Sequence, residues 1–498
     1  MTTLNRRNFL TLGSMTTTAI LLSQCSKQGQ TPNISVVPST PPGEGTVPSP
    51  PYRSTNGLLD VELTAQPQSL TLGDRTANLL TYNGQLPGPI LEARPGDTVR
   101  ITFRNQLSQP TNLHYHGLHI PPTGSGDNAF LAIAPGEQHT YEFQIPTDHP
   151  AGTFWYHPHH HGMVAEQLFA GLAGLFIIRG ELDEIPEIVA AQEEFLVLKD
   201  IMLNPDGSIP DPGHMAQMTG RIGDLVTVSG LFNPTLTLAK GGLWRLRLLN
   251  ASPSRFFRLA LENHLLHLIA TDGGAIATPV ELETLTLAPG ERAEVLVQGN
   301  QSPGQYRLLN YPFNPAQGMI HGIGHDSGKH QQDYSETLAT LVYDGETAAL
   351  PVPDQLIPIA PLPQPETVRE FNLSHGMMGL NDHAGMHQGM VFLINGKSFE
   401  HHRVDTTVQL NTVEDWDITN TGTMAHPFHL HINKFQVISR NGEPEPYLAW
   451  KDVVSVAPGE RVRIRVAFRD YPGKTVYHCH VLDHEDQGMM GILEMLPG

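Results

Sequence analysis

The chain has 498 residues, which is enough for about three domains of ordinary size. Its formal net charge of −20 argues against nucleic acid or an anionic membrane as a partner, because both would repel an acidic protein. There are 2 cysteines, Cys25 and Cys479, so no internal disulfide is expected once a leader containing the first is removed.

The N-terminal segment resembles an export signal. An Arg-Arg pair precedes Phe9 and an uncharged run over 11–24, which is too short and too rich in threonine to cross a membrane as a helix. We therefore predict a twin-arginine-like signal over 1–27 and an exported protein, periplasmic or otherwise extracytoplasmic. The residues before Cys25 faintly resemble a lipoprotein cleavage box, which leaves a lipid anchor at this cysteine open.

Residues 28–56 are rich in proline, serine and glycine and are predicted to form a disordered spacer. Beyond them one unit occurs three times. An alternating strand pattern ends in asparagine, at Asn105, Asn250 and Asn420, and an Ala-Pro-Gly-Glu sequence follows each time. Copies about one domain length apart predict three domains, at 57–185, 186–350 and 351–498.

Short strand patterns, 47 glycines and 41 prolines, without long helical periodicity, predict an all-β fold. We expect three consecutive antiparallel sandwiches with Greek-key connections. The one helix expected in the first domain lies near 163–168. The second domain carries none of the clustered histidine motifs and is predicted to be structural.

Histidine pairs of the form His-x-His are unusually frequent. Random placement of the 26 histidines would give about 1.4 such pairs, yet five occur. In a strand the two side chains of such a pair project from one face, so each pair can hold a metal ion. Four pairs facing one another across the first and third domains would give eight imidazoles, which suits three copper ions. The five pairs are 114/116, 157/159, 159/161, 429/431 and 478/480.

The segment 478–489 combines three histidines, one cysteine and one methionine. If the preceding strand pattern continues, His478 and His480 face one way and Cys479 the other. One cysteine, two histidines and a distant methionine form the blue-copper ligand set, and His426 is placed to supply the second histidine. One strand would then serve two metal sites about 12 Å apart, joined through bonded residues.

Four copper centres have a chemical purpose. Reduction of O₂ to water takes four electrons, whereas many donors supply one electron at a time. One centre that receives electrons and three clustered centres can together store four, so that partly reduced oxygen is not released.

These motifs identify a resemblance to the multicopper oxidases of the laccase and cuprous-oxidase kind, from about residue 57 to the C-terminus. The resemblance implies three cupredoxin-like domains, four copper ions and O₂ as the electron acceptor, in a protein expected to be monomeric. The motifs that carry it are 114–117, 155–159, 426–431 and 478–489.

The resemblance also implies ligands for each copper. The type 1 copper would be bound by His426, Cys479 and His484, with Met489 axial. The type 2 copper would be bound by His114 and His429. The type 3 pair would be bound by His116, His157, His159, His431, His478 and His480.

Further residues complete the expected site. The histidine matching His484 faces substrate in the family and receives its electrons. Glu485 resembles an acidic residue used for proton delivery, and Asp127 stands where the family often has a second acid; for both, the alternative is a solvated surface carboxylate. His119, His160 and His161 fall outside the motif pattern and are expected to be ordinary or supporting residues.

The electron donor stays open. One hypothesis is a laccase-like oxidase of phenols and other aromatic reductants, and a second is an oxidase of Cu(I) serving copper tolerance. The second depends on segment 375–390, whose four methionines suit Cu(I), although a flexible loop with methionine as filler explains it equally. A histidine-bearing loop at 319–330 could line the same approach.

A third hypothesis is a non-enzymatic relative that keeps the fold as a structural or binding protein. The complete ligand set argues against it, because such a protein would not need the histidines that flank Cys479. A two-domain copper nitrite reductase is disfavoured too, since the first-domain motifs would be superfluous.

Overall fold

The computed structural model describes residues 50–316, 335–377 and 390–498. The predicted leader, most of the predicted spacer, the loop at 319–330 and most of segment 375–390 lie outside these ranges, so the predictions made for them stay predictions. Within the described ranges, no helix combines the length and apolar character needed to cross a membrane.

The first domain is a sandwich of two sheets. Its elements are β1 (Tyr52–Arg53), β2 (Leu58–Leu72), β3 (Arg75–Tyr82), β4 (Gly88–Ala93), β5 (Thr98–Asn105), β6 (His114–His116), β7 (Gln138–Gln144), β8 (Gly152–His157), α1 (Val164–Phe169) and β9 (Gly174–Ile178). The strand orders are β1-β4-β9-β8-β6 and β3-β2-β5-β7. Every second residue of β5 is buried, as the alternating sequence predicts for a strand with one face on the core.

The second domain has the same plan. A 3₁₀ turn (Glu181–Glu184) and α2 (Pro186–Ala190) lead into it. Its strands and helix are β10 (Gln192–Ile201), α3 (His214–Thr219), β11 (Leu225–Val228), β12 (Thr235–Lys240), β13 (Leu243–Asn250), β14 (Phe257–Leu261), β15 (Leu266–Thr271), β16 (Gly274–Leu282), β17 (Leu285–Leu287), β18 (Arg292–Gln298), β19 (Gln305–Tyr311) and β20 (Glu336–Glu346). The strand orders are β11-β10-β13-β18-β15-β16 and β12-β20-β19-β14-β17.

The third domain is also a sandwich of two sheets. Its elements are β21 (Thr367–Met377), β22 (Met390–Ile394), β23 (Val404–Gln409), β24 (Thr412–Asn420), β25 (His426–Leu430), β26 (Phe435–Arg440), β27 (Glu443–Pro444), β28 (Trp450–Lys451), β29 (Val453–Val456), β30 (Arg461–Phe468), β31 (Gly473–Cys479), α4 (Leu482–Asp486) and β32 (Met490–Leu496). One sheet has the order β22-β21-β24-β30-β26-β27, with β28 on β26, and the other has the order β23-β32-β31-β25-β29.

The three sandwiches enclose three separate large hydrophobic cores, which confirms the all-β, three-domain prediction. The predicted helix near 163–168 corresponds to α1. The expectation of antiparallel sheets is wrong, because the sheets are mixed: β2 pairs with β5, β10 with β13 and β21 with β24 in parallel. The few helices of the described residues are short connections.

The repeated asparagine and Ala-Pro-Gly-Glu sequences form the same corner in every domain. In the first, the Gly136 N–H donates to the Asn105 carbonyl (2.8 Å), the Asn105 N–H donates to the Glu137 carbonyl (3.0 Å), and the Glu137 carboxylate accepts the Ala134 N–H (3.1 Å). Gly136 has φ of +80°, which explains why glycine stands there. The same three bonds recur at Asn250 with Ala288, Gly290 and Glu291, and at Asn420 with Ala457, Gly459 and Glu460.

Candidate metal centres

Two histidines converge on the sulfur of Cys479, the last residue of β31. His426 opens the antiparallel neighbour β25, in which Phe428 lies opposite Cys479, and His484 belongs to α4. The Cys479 Sγ is 3.4 Å from Nδ1 of His426 and 3.8 Å from Nδ1 of His484, and these nitrogens are 3.3 Å apart. One buried sulfur and two buried nitrogens therefore face a common point.

This donor set fits copper. Burial lowers the pKa of His426 to about 3 and the pKa of His484 well below its usual value, so both imidazoles are neutral and able to bind a metal. Burial raises the pKa of the Cys479 thiol well above its usual value, so a thiolate here requires a bound cation. One thiolate with two imidazoles is the equatorial set of blue-copper sites.

Met489 is held beside this set by its backbone. Its carbonyl accepts the Cys479 N–H at 3.0 Å, and its own N–H donates to the His484 carbonyl at 2.9 Å. The side chain is fully buried in the same hydrophobic core as Cys479. The backbone of Met489 is therefore fixed beside Cys479 and His484, and its role as the axial ligand stays a prediction.

A cover separates His484 from solvent. The ring of Phe392 in β22 stacks on the His484 ring, with centroids 3.8 Å apart, and His484 Nε2 donates to the Met218 carbonyl of α3 at 3.1 Å. His484 itself has 0% of its surface exposed. An external donor would therefore meet the outer side of α3 or of β22, and Met215 of α3 is 66% exposed.

Two pairs of antiparallel strands bring the remaining predicted histidines together. In the first domain His114 of β6 lies opposite His157 of β8, and in the third His429 of β25 lies opposite His478 of β31. The eight clustered imidazoles are all at most 1% exposed, and they belong to His114, His116, His157, His159, His429, His431, His478 and His480.

Nitrogen atoms from the two domains meet inside this cluster. Nε2 of His114 is 3.4 Å from Nε2 of His429, the pair predicted to bind type 2 copper. Nε2 of His478 is 3.2 Å from Nε2 of His159 and 3.1 Å from Nε2 of His431. Each of these groups takes histidines from both domains, so neither domain could form the cluster alone.

The other three histidines complete the cluster. Nδ1 of His116 is 3.4 Å from Nε2 of His157, and the His480 ring centroid is 5.1 Å from that of His116 and 5.7 Å from that of His157. Neither nitrogen of His480 has a hydrogen-bond partner among the described residues. Such a buried imidazole is unfavourable unless a metal ion binds it.

Burial also lowers the pKa of all eight imidazoles, to about 4 for His159 and His478 and further for the others. Neutral imidazoles are the form that binds metals. The cluster therefore fits several copper ions.

Both predicted carboxylates are buried against the cluster, which excludes the surface alternative. Asp127 Oδ1 accepts hydrogen bonds from His114 Nδ1 (2.8 Å) and from the Tyr115 N–H (2.9 Å). Glu485 Oε2 is 3.0 Å from Nδ1 of His478 and Oε1 is 3.4 Å from Nε2 of His159, although neither oxygen has hydrogen-bond geometry. Burial raises the pKa of each carboxyl to about 7.

The sequence interpretation missed a third carboxylate. Asp452 accepts a hydrogen bond from Nε2 of His116 at 3.0 Å, and its carbonyl accepts one from Nδ1 of His429 at 2.7 Å. Two further bonds, of 2.7 and 2.6 Å, join its carboxylate to the guanidinium of Arg292. No motif marks Asp452, and only the pairing of β25 with β29 places it beside His429.

The second domain, predicted to be structural, contacts both centres. A Cβ added to Gly290 would lie 2.9 Å from three atoms of the His480 ring, so this glycine lets the domain approach the cluster. Arg292 reaches Asp452, and the Met218 carbonyl reaches His484. The domain therefore contacts predicted ligands of both centres without supplying one itself.

The two centres are joined by adjacent residues. The side chains of His478 and His480 point into the histidine cluster, and Cys479 between them points to His426, as the strand alternation predicts. A bonded path of one residue on either side of Cys479 thus connects the sulfur to both halves of the cluster.

The histidines outside the motif pattern lie elsewhere. His119 bonds the Ile432 carbonyl and Asp470, at 2.9 and 3.0 Å, and is an ordinary contact between domains. His160 and His161 are half-buried and belong to none of the close donor groups in the described part of the chain.

Comparison of the sequence with known proteins supports the resemblance to multicopper oxidases. Three multicopper oxidase family models match residues 64–183, 203–345 and 363–498. The chain is 32% identical over 461 residues to the multicopper oxidase mco of Staphylococcus epidermidis, covering 89% of this chain and 90% of that protein. It is 28% identical over 521 residues to the cell division protein FtsP of Photorhabdus laumondii, covering 99% of each.

Two solved structures are similar over most of their length. The multicopper oxidase of Campylobacter jejuni, described as a metallo-oxidase, has a TM-score of 0.77 at 31% identity, covering 94% of this chain and 96% of that one. A laccase-like multicopper oxidase of Ochrobactrum sp., active on lignin model compounds, has a TM-score of 0.77 at 30% identity, covering 91% and 100%. With family matches in every domain and donor sets that fit copper, this chain belongs to the multicopper oxidase family.

Proposed function

We propose that this copper oxidoreductase couples one-electron oxidation of a donor near Cys479 to the four-electron reduction of O₂ to water at the histidine cluster. The observation that carries the proposal is the placement of His478 and His480 in one donor group and Cys479 in the other. Adjacent residues on one strand then connect a site that receives electrons with a site able to store them.

The ligand roles follow the family resemblance. His426, Cys479, His484 and Met489 would hold the type 1 copper, and the eight clustered histidines would hold one type 2 and two type 3 coppers. Bound copper would supply one-electron storage and the capacity to react with O₂. The chain keeps the imidazoles neutral, excludes water by burial, and fixes His114 and His116 through the carboxylates of Asp127 and Asp452.

Glu485 and Asp127 would supply protons. Reduction of O₂ to water consumes four protons, and both carboxyl groups lie beside histidines of the cluster. Burial raises each pKa to about 7, so a fraction of each group carries a proton near neutral pH.

Two measurements test this function. The purified protein should contain about four copper ions per chain and show an intense blue absorption. Its oxygen consumption should be about one O₂ per four one-electron donors, without released peroxide. Absence of the blue band, or peroxide as the main product, would contradict the proposal.

The first candidate donor is an aromatic reductant such as a phenol. The laccase-like relative from Ochrobactrum supports it, because that protein acts on lignin model compounds. Phenols donate single electrons without needing a dedicated metal site, so a donor could bind on the outer surface of the cover over His484.

Cu(I) is the second candidate, and the cover itself favours it. Met215 projects from α3 into solvent, one turn from the Met218 carbonyl that bonds His484. Thioethers are soft ligands that suit Cu(I). The relative from Campylobacter jejuni, described as a metallo-oxidase, supports the same donor class. The non-catalytic alternative, to which the similarity to FtsP gives some support, leaves the complete ligand set without a purpose.

A segment deletion distinguishes the donors. Removal of 378–389 leaves the paired positions Met377 and Met390 at the ends of β21 and β22. We would compare kcat/KM for a phenol and for Cu(I) supplied anaerobically, with Met378→Leu/Met386→Leu as the volume-conserving control that removes only the thioethers. If both variants lose Cu(I) oxidation but keep phenol oxidation, the result supports Cu(I) as a donor that binds to this segment. If both variants keep Cu(I) oxidation, the segment does not bind Cu(I) for this reaction.

A further inference from the structure

Histidines that belong to neither proposed centre meet where the first and third domains join. His160 and His161 follow the cluster residue His159 in the first domain. His401 and His402 lie in the connection between β22 and β23 of the third domain and are exposed. More than two hundred residues separate the two pairs along the chain, so only the fold brings them together.

The rings of His161 and His401 pack closely. Their centroids are 5.5 Å apart at an interplanar angle of 76°. Both rings also contact Phe399, at 4.6 and 4.9 Å, so the aromatic ring supports one side of the pair. His160 directly precedes His161 in the chain and is half-buried.

Both backbone segments are tightly held. The Phe399 N–H donates to the Gly488 carbonyl at 2.9 Å. The Arg403 guanidinium donates to the Glu400 carboxylate at 3.0 Å and to the Ser398 carbonyl at 2.6 Å, which stabilises the connection between β22 and β23. On the other side, Asp486 accepts the Gly162 N–H at 2.7 Å. The backbone positions of the histidines are thus fixed by the fold, and the side chain of His401 is exposed.

One nitrogen of the group lacks a partner. Nδ1 of His161 is buried and makes no hydrogen bond with any described residue. A buried nitrogen without a partner is unfavourable, and a metal ion is one means of satisfying it. The ring contact with Phe399 leaves this nitrogen unsatisfied.

We propose that His160, His161 and His401 form a further metal site, separate from the type 1 and cluster centres, that binds a divalent ion preferring imidazole, Zn²⁺ or Cu²⁺. Neutral imidazoles suit both ions. The nitrogens of the three histidines do not converge on one point in this arrangement, so binding would require the exposed His401 side chain to rotate toward His161. An ion bound to His161 and His401 would link the first and third domains.

Zn²⁺ tests the site without exchanging with resident copper. Untagged, fully copper-loaded protein is titrated with Zn²⁺ by calorimetry after chelator treatment. We expect one Zn²⁺ per chain, and a higher midpoint of thermal unfolding in its presence, because the ion binds only the folded state. His401→Gln should weaken binding by at least about tenfold, as should His161→Gln.

A matched control uses His214→Gln, which removes an exposed histidine from α3 in the second domain and should leave Zn²⁺ binding unchanged. Retained blue absorption verifies that each variant is folded and loaded with copper. His401 is exposed, so its variant decides the outcome even if His161→Gln disturbs the neighbouring cluster. Absence of Zn²⁺ binding, normal binding by His401→Gln, or equal loss in His214→Gln would overturn the proposal.

Discussion

Cys479 illustrates how strongly one residue depends on its surroundings. Its thiol is buried in a hydrophobic core, and burial raises its pKa well above the usual value, so an isolated cysteine here would stay protonated. His426 and His484 supply two neutral nitrogens beside the sulfur. The chemistry of this position therefore comes from the trio rather than from the thiol alone.

Substitution of this sulfur tests the electron path. We predict that Cys479→Ser abolishes the blue thiolate-to-copper absorption and donor turnover, because a buried hydroxyl remains protonated and is a poor copper ligand. Absorption spectra and O₂ consumption measure the two effects. Met489→Leu is the companion variant, and we expect it to keep the colour while raising the potential of the type 1 copper. Turnover by Cys479→Ser would exclude the proposed path.

Glu485 allows a test of proton supply that keeps the fold. Glu485→Gln has nearly the same shape but cannot transfer a proton, so we predict turnover at least about tenfold slower. Anaerobic reduction of the blue centre by the donor should keep its rate, because the carboxyl lies next to His159 and His478 of the cluster. Glu494→Gln in β32 is the control at a half-exposed carboxylate. Equal slowing of both half-reactions would point to a structural defect instead.

At the scale of elements, the sequence predicts features that depend on residues close together in the chain. The strands β5, β13 and β24 end at the asparagines that the repeat marks, because each asparagine and its partner glycine form a corner with its own sequence signature. Strand alternation likewise separates Cys479 from its two neighbouring histidines.

Contacts between distant segments carry no such signature. Asp452 reaches His116 only through the pairing of β29 with β25 and the packing of two domains. The carbonyl of Met218 contacts His484 whatever side chain stands at that position, so no pattern of residue types could reveal it. The sequence therefore predicts the proposed ligands and Asp127, but it misses Asp452 and the Met218 carbonyl, which bond His116 and His484.

The cover over His484 depends on a glycine. Gly220 ends α3 with φ of +83°, and a Cβ there would lie 2.5 Å from the Ser254 side chain and 2.9 Å from Val481. The close packing holds the Met218 carbonyl against His484.

We predict that Gly220→Ala displaces α3 and weakens the bond from His484 Nε2 to the Met218 carbonyl. A carbonyl that accepts an imidazole N–H makes the ring a better electron donor to its metal, so its loss should raise the type 1 potential. Redox titration of the blue absorption measures the shift. Gly213→Ala, at the opposite end of α3, is the control, since φ is −68° and no atom lies within 4 Å of the added carbon. An equal potential in the two variants would refute the coupling.

At the scale of the whole molecule, buried charges join the first two domains. Arg247 of β13 is fully buried and bonds Glu294 at 2.5 Å, Asp183 at 2.8 Å and Glu193 at 2.6 Å. The same Glu294 accepts the hydroxyl of Thr153 in the first domain at 2.8 Å. Because β8, which contains Thr153, also carries His157, this network fixes the strand that presents part of the histidine cluster.

Removal of the central cation should therefore weaken the whole assembly. Arg247→Met keeps the side-chain volume but leaves Glu294 buried with less compensating charge, and breaking a buried pair in this way costs about 3–5 kcal/mol. We predict a lower urea midpoint of unfolding and a faster loss of the blue absorption on heating. Arg258→Met, at an exposed position of β14, should change stability by less than about 0.5 kcal/mol. If the two variants unfold alike, the Arg247 network does not hold the domains together, and other contacts, such as those of Asp127 and Asp452, must position the cluster.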